Sequence, residues 1–218
     1  MKVIIFGATG MVGQGVVREA LLAADVSDVL VIGRTSTGIS DRKLREIIRP
    51  DFDHLKPGEV AGYDACFFCL GTPSGGKDEE EYTKTTYDLT MRVAETLKSA
   101  NPDMTFIYVS GEGADSSEKG PVMWARVRGR VENALLKLFP KAYIFRPGAI
   151  QSMHGEKSKT KLYRMLYPIF VPLFPLMRAL APNSLTTTEI IGRAMLNIAR
   201  KGAPVKILRA KEFREVAS

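Results

Sequence analysis

One heptapeptide constrains this chain more than any other feature. Gly7-Ala8-Thr9-Gly10-Met11-Val12-Gly13 stands between the apolar run Val3-Ile4-Ile5-Phe6 and a stretch with Val12, Val16 and Ala20 on one helical stripe. A strand, a glycine-rich turn and a helix in that order put the helix's first amides beside the turn. Gly7 suits the tight turn, Gly10 lets a ligand approach the backbone, and Gly13 lets the helix pack closely on the strand. The first N–H groups of such a helix have no partner within it and carry partial positive charge. Gly7, Thr9, Gly10, Met11, Val12 and Gly13 are therefore the candidate cradle for a dinucleotide's diphosphate. A glycine-rich turn without a ligand is the plainer alternative.

The rest of the chain repeats the strand-then-helix alternation that characterises a parallel sheet covered on both faces. Strands are expected at about 2–6, 28–33, 44–48, 64–70, 104–110 and 141–146, and helices at about 11–23, 79–100 and 121–139. The expected fold class is α/β, a Rossmann-type doubly wound parallel sheet with a small C-terminal helical substrate lobe. Residues 1–150 would form the core and 151–185 the lobe, a loop over 155–161 followed by a proline-broken apolar helix pair. Residues 186–218 would return to the core as a helix, started by the Thr-rich run at 186–188, and a strand near 205–208. The apolar run 165–177 is too short, and too interrupted by proline, for a transmembrane segment. The opening apolar run stops at Gly7, too soon for a signal-peptide core.

Charge is uneven. Residues 1–118 hold 12 basic and 19 acidic side chains, and residues 119–218 hold 19 basic and 5 acidic. A basic second half favours an anionic ligand, an anionic membrane surface or nucleic acid, or it is a solvated face. No zinc-finger or RNA-binding signature accompanies it, so nucleic acid is not expected as a partner. Cys66 and Cys69 form a C-x-x-C inside a strand-like run, where residues three apart point to opposite faces. Two packed thiols in a reducing cytoplasm are the expectation, rather than a disulfide or a metal site. The expected localisation is cytoplasmic.

Strand two ends in Ile32-Gly33-Arg34-Thr35, with Arg34 standing 21 residues after Gly13. NAD-selective sites place a carboxylate here for the ribose hydroxyls, whereas a guanidinium suits the 2′-phosphate of NADP. NADP(H) is therefore expected in preference to NAD, unless Arg34 is an ordinary surface arginine.

With these residues in view, the chain resembles the atypical short-chain dehydrogenase/reductases. Within them it is similar to the Tat-interacting oxidoreductase-like group and to bacterial epimerase/dehydratase-like proteins. The resemblance rests on Gly7–Gly13, Cys69-Leu70-Gly71-Thr72, Tyr108-Val109-Ser110, the helix Trp124–Leu136 and Phe145-Arg146-Pro147-Gly148. It implies that Asp51 and Phe52 lie beside the adenine and that Leu70, Gly71 and Thr72 line the ribose and nicotinamide side. It implies that Ser110 is the catalytic serine and that Pro147, Gly148 and Ile150 run past the nicotinamide.

The family's Tyr-x-x-x-Lys pair is replaced by Trp124 and Arg128. An indole N–H donates but does not exchange its proton near neutrality. Arg128 keeps the lysine's ability to donate to ribose hydroxyls. Candidate substitutes for the proton donor are His154, Tyr87 and, more remotely, Glu112, each with a bland alternative as a loop or packed side chain. His54 would lie too near the adenine to act. Met11, Met123, Met153, Met165 and Met177 are core packing or the lining of an apolar cleft. Lys157, Lys159, Lys161 and Arg164 would border the cleft, either attracting an anionic substrate or forming a solvated lid.

Three functions follow from this reading. The first is an NADP-dependent oxidoreductase acting on a small carbonyl-type substrate, and the second a non-catalytic NADP-binding redox sensor. The third is a peripheral membrane protein using the apolar segment and the lysine cluster. The stretch Tyr163–Leu180 has enough apolar surface for a homodimer contact.

Overall fold

The computed structural model describes residues 1–52, 54–156 and 185–218. Residues 157–184 of the expected lobe, with the lysine cluster, Met165, Met177 and the dimer contact on Tyr163–Leu180, lie outside them.

The chain begins with β1 (Lys2–Phe6), α1 (Met11–Leu22), β2 (Asp28–Gly33), β3 (Leu44–Ile48), a short turn of helix α2 (Pro57–Val60) and β4 (Ala65–Phe68). Helix α3 (Glu79–Thr83) runs through a π-helical turn, Lys84–Asp88, into α4 (Leu89–Ala100). Then come β5 (Thr105–Val109), α5 (Met123–Leu138), β6 (Ala142–Phe145) and β7 (Ala149–Gln151). After the undescribed stretch the chain continues as β8 (Leu185–Thr187), α6 (Thr188–Lys201), β9 (Ile207–Leu208) and α7 (Ala210–Ala217).

Seven strands form one parallel sheet in the order β3-β2-β1-β4-β5-β6-β9, and β7 pairs with β8 apart from it. The strand order reverses between β1 and β4, which opens a crevice at the carboxyl ends of those strands. The central strands are apolar without alternation because both faces are covered. One face buries Val3, Ile5, Val29, Val31, Phe67 and Ile107 beneath α1, α6 and α7. The other buries Ile4, Phe6, Leu30, Phe68, Phe106 and Ile144 beneath α4 and α5. Cys66 belongs to the second core and Cys69 packs against the first, both as free thiols, as the strand reading anticipates.

The first strand ends in a turn that only glycine allows. Gly7 has φ +78°, and a Cβ on it would lie 2.6 Å from the carbonyl carbon of Cys69. A Cβ on Gly13 would lie 2.1 Å from the Gly7 carbonyl oxygen, so α1 seats directly on the turn. Further along α1, a Cβ on Gly15 would meet Thr188 Cβ at 2.7 Å, and one on Gly192 would meet Glu19 Cγ at 2.7 Å. Glycines on both helices thus bring α1 and α6 into close contact.

Several boundaries differ from the sequence reading. The strand expected at 64–70 is the four-residue β4. Thr186 and Thr187 belong to β8, and Thr187 caps α6 by accepting from the Ile190 N–H at 3.1 Å. The expected last strand is two residues long and is followed by α7, which carries no glycine or proline signal at its start. Helix α7 buries Phe213 against Phe145, with ring centroids 4.5 Å apart.

Candidate functional site

A cleft of about 380 Å³ opens at the reversal point. Its floor is the turn Gly7–Val12, where Gly10 donates to the Gly7 carbonyl at 2.9 Å and then starts α1 without a side-chain cap. No acidic residue occupies the first turn of α1. The leading amides are therefore neither capped by a side chain nor opposed by a carboxylate, which is the arrangement that holds an anion.

On one side the cleft is bounded by the end of β2, with Val31, Gly33, Arg34 and Thr35, and by Phe52. Arg34 is exposed and, among the described residues, makes no hydrogen bond or ion pair. Phe52 packs edge-on against Phe6 at 5.6 Å. On the other side stand Cys69, Leu70 and Gly71 after β4, Val109 and Ser110 at the end of β5, Arg128 from α5, and Pro147, Gly148 and Ile150.

Arg128 reaches the cleft from one helical turn beyond Trp124. Its Nε donates to the Tyr82 hydroxyl at 3.1 Å. Nη1 lies 3.6 Å from where a Cβ of Gly111 would stand, and Nη2 lies 3.9 Å from that of Gly71. Burial works against its charge, but Tyr108, Tyr82 and Glu132 around it hold the guanidinium protonated above its ordinary range. Trp124 lies elsewhere: its ring meets the backbone at Gly113, whose Cβ would stand 3.3 Å from it. The indole is not among the residues lining the cleft.

Behind Ser110 is a buried polar network. The Ser110 hydroxyl donates to Glu132 Oε1 at 2.5 Å. Arg146 donates through Nε to both oxygens of Glu132 at 3.1 Å, through Nη2 to Oε2, and through Nη2 to Ser116 Oγ at 2.6 Å. Glu132 is 0% exposed and Arg146 6%. Sequence reasoning passed over this carboxylate. Its signal was positional: Ala125, Arg128, Glu132 and Leu135 recur at the helical period, which places a carboxylate on the inward face.

The structure gathers most of the expected site residues around one cleft. Gly7, Thr9, Gly10, Met11, Val12, Arg34, Phe52, Leu70, Gly71, Ser110, Arg128, Pro147, Gly148 and Ile150 all line it. Gly13 lies just beneath, in the packing role. Asp51 is exposed and Thr72 half-buried, and neither lines the cleft.

The candidate proton donors are not in it. Tyr87 is half-buried with the Arg130 guanidinium over its ring at 5.1 Å. His154 lies over a neighbouring hollow with Thr9, Gln14, Arg18 and Thr37, its Nε2 3.4 Å from Glu189. Glu112 pairs with Arg209 at 3.3 Å. Cys69 does reach the cleft, but burial pushes its thiol up to about 12, so it is no nucleophile near neutrality.

An open parallel sheet in this strand order, with a glycine turn at its reversal point, defines the Rossmann-type fold of dinucleotide-binding proteins. No family model matches the chain. The resemblance to the atypical short-chain dehydrogenase/reductases is borne out by its relatives. The chain is 28% identical over 197 residues to Protein HTATIP2 of Rattus norvegicus, spanning 84% of this chain and 80% of that protein. It is 25% identical over 217 residues to Protein FMP52, mitochondrial, of Meyerozyma guilliermondii, spanning 88% and 90%. Among solved structures it superposes on UDP-glucuronic acid 4-epimerase from Bacillus cereus, solved in complex with NAD, with TM-score 0.66 and 13% identity over 95% of this chain and 77% of that one. The oxidoreductase ylbE from Lactococcus lactis matches with TM-score 0.63 and 17% identity over 99% and 95%. These structural likenesses establish the fold.

Proposed function

We propose that this chain binds NADP(H) in the cleft and is an oxidoreductase that interconverts a small carbonyl compound and its alcohol. The observation that carries the reading is the meeting, in one cleft, of the uncapped start of α1 with a solvent-facing guanidinium at the end of β2. The amides of α1 would hold the diphosphate, Arg34 the 2′-phosphate, and Phe52 the side of the adenine. Arg128, at the ends of β4 and β5, would donate to the second ribose or to substrate. Pro147, Gly148 and Ile150 would bound the nicotinamide. When bound, NADP(H) supplies the hydride chemistry, and the chain supplies orientation and charge. The epimerase of like fold, solved in complex with NAD, supports the class of ligand, and Arg34 supports the choice of NADP over NAD.

Calorimetric titration tests the reading. Wild type should bind NADPH more tightly than NADH. Arg34→Ala should weaken NADPH by about ten-fold or more, the worth of a charge-assisted contact, and leave NADH nearly unchanged. Equal losses for both coenzymes would remove the 2′-phosphate contact from the account.

A second reading, a redox sensor without turnover, is favoured by one observation. Among the described residues lining the cleft there is no His, Asp, Glu, Tyr or Lys to serve as general acid or base, burial pushes the Cys69 thiol up to about 12, and Trp124 stands outside it. Steady NADPH oxidation with a panel of ketones and quinones, lost in Ser110→Ala, separates enzyme from sensor. As to compartment, the free thiols suit a reducing one. The name of the FMP52 relative says mitochondrial, and we propose the cytoplasm for this chain only on its cysteines. No helix among the described residues is long and apolar enough to cross a membrane.

A further inference from the structure

Ser110 lines the cleft, yet its hydrogen is committed behind it. Glu132 is wholly buried, and Arg146 grips both of its oxygens. A carboxylate held by a guanidinium in this way is ionised and only accepts hydrogen bonds. The proton between Ser110 and Glu132 therefore belongs to the serine. What the serine hydroxyl has left for a ligand in the cleft is lone pairs. Arg128 has the opposite character. Its Nε is tied to Tyr82, and among the described residues neither terminal nitrogen makes a hydrogen bond. Those two nitrogens stand over Gly71 and Gly111, the second of these being the residue after Ser110. One end of the cleft thus sets an acceptor beside donors.

We propose that Glu132 is a positioning residue that makes Ser110 an obligate hydrogen-bond acceptor toward the cleft, and that Ser110 and Arg128 together select a hydroxyl group over a carbonyl. A hydroxyl gives its hydrogen to Ser110 and receives one from Arg128. A carbonyl only receives, and would face the serine lone pair to lone pair. The inference deepens the oxidoreductase reading and rests on it for what occupies the cleft. The hydroxyl belongs either to the alcohol member of the substrate couple or to the second ribose of the coenzyme.

The test compares matched probes on wild type, Ser110→Ala and Glu132→Gln. In the first arm, ligand-observed NMR gives dissociation constants for 1-phenylethanol against acetophenone and for cyclohexanol against cyclohexanone, with and without NADPH. In the second, calorimetry compares NADP+ with 2′-phospho-ADP, which lacks the second ribose. If the hydroxyl is the substrate's, wild type binds each alcohol about ten-fold more tightly than its ketone, and Ser110→Ala brings the ratio to about one. Glu132→Gln then shifts preference toward the ketone, because Arg146 claims the amide oxygen and the amide N–H₂ turns the serine hydrogen outward. A merely structural role for Glu132 would not reverse that preference.

If the hydroxyl is the coenzyme's, Ser110→Ala weakens NADP+ about ten-fold and leaves 2′-phospho-ADP unchanged. The proposal is overturned if both ratios are the same in wild type and Ser110→Ala. Should Glu132→Gln fail to fold, Ser110→Ala still decides, since it removes a single hydroxyl. If no pyridine coenzyme binds, the functional reading fails, while the alcohol-to-ketone ratio of the unloaded protein still judges this inference.

Discussion

At the scale of single residues, the cleft depends on places where a side chain cannot be. Gly7 combines a left-handed backbone with a Cβ position 2.6 Å from the backbone of Cys69, so any substitution there strains the chain and pushes β1 and β4 apart. Gly7→Ala should cost roughly 2–5 kcal/mol, seen as a lower midpoint in thermal unfolding. An unchanged midpoint would mean that the turn is not built as described. Gly7 and Gly13 were legible in the sequence because the spacing of glycines at a strand-to-helix junction reflects a local steric need. Glu132 was less legible. Its partners Ser110 and Arg146 are 22 and 14 residues away, and no spacing rule joins a helix to the ends of two strands.

At the scale of elements, the segment leading from β7 toward α6 is held by one carboxylate. Glu156 accepts from Ser152 Oγ at 2.6 Å, from the N–H of His154 at 2.9 Å and from Thr188 Oγ1 at 3.0 Å. Burial pushes its carboxyl up, but the bonds from Ser152, His154 and Thr188 outweigh it and hold the group below the ordinary carboxylate range. A depressed folded-state value adds stability that is present above the unfolded value of about 4.3 and is lost as pH falls through the folded one. Glu156→Gln should therefore be less stable than wild type by about 1–2 kcal/mol at pH 7. That gap should close as pH drops below about 4, as measured by urea unfolding across pH 3–7. A gap independent of pH would contradict the role of the charge. The sequence showed a Gly, Lys, Ser and Thr-rich stretch here and no anchor, because Thr188 lies on an element 32 residues further on.

At the scale of the whole molecule, the sheet is closed by the last residues of the chain. β9 pairs with β6, and α7 then lays Phe213, 0% exposed, on Phe145. Phe145 belongs to the strand that precedes Arg146 and Pro147, so this packing supports the edge of the cleft from below. Phe213→Ala should cost about 3–5 kcal/mol, the usual penalty for emptying an aromatic position in a core. The urea midpoint is the direct measure, and a loss below 1 kcal/mol would show that the C-terminal helix is dispensable to the core. Helices α1 and α6, 177 residues apart at their starts, form one wall because Gly15 and Gly192 permit the approach.

What the amino-acid order by itself determined is what depends on near neighbours. Apolar runs without alternation specified strands covered on both faces, the glycine spacing specified the turn, and Arg34 fell at the end of β2 because that strand's length was readable. Together these set a Rossmann-type sheet and most of its cleft. Only the tertiary structure decided that His154 and Tyr87 stand outside the cleft, that Trp124 covers a loop, and that Ser110, Glu132 and Arg146 meet behind it. Local periodicity records which face of an element is buried. Which partner waits on that face is settled when elements distant in sequence pack together, and the direction of each hydrogen bond is settled there with it.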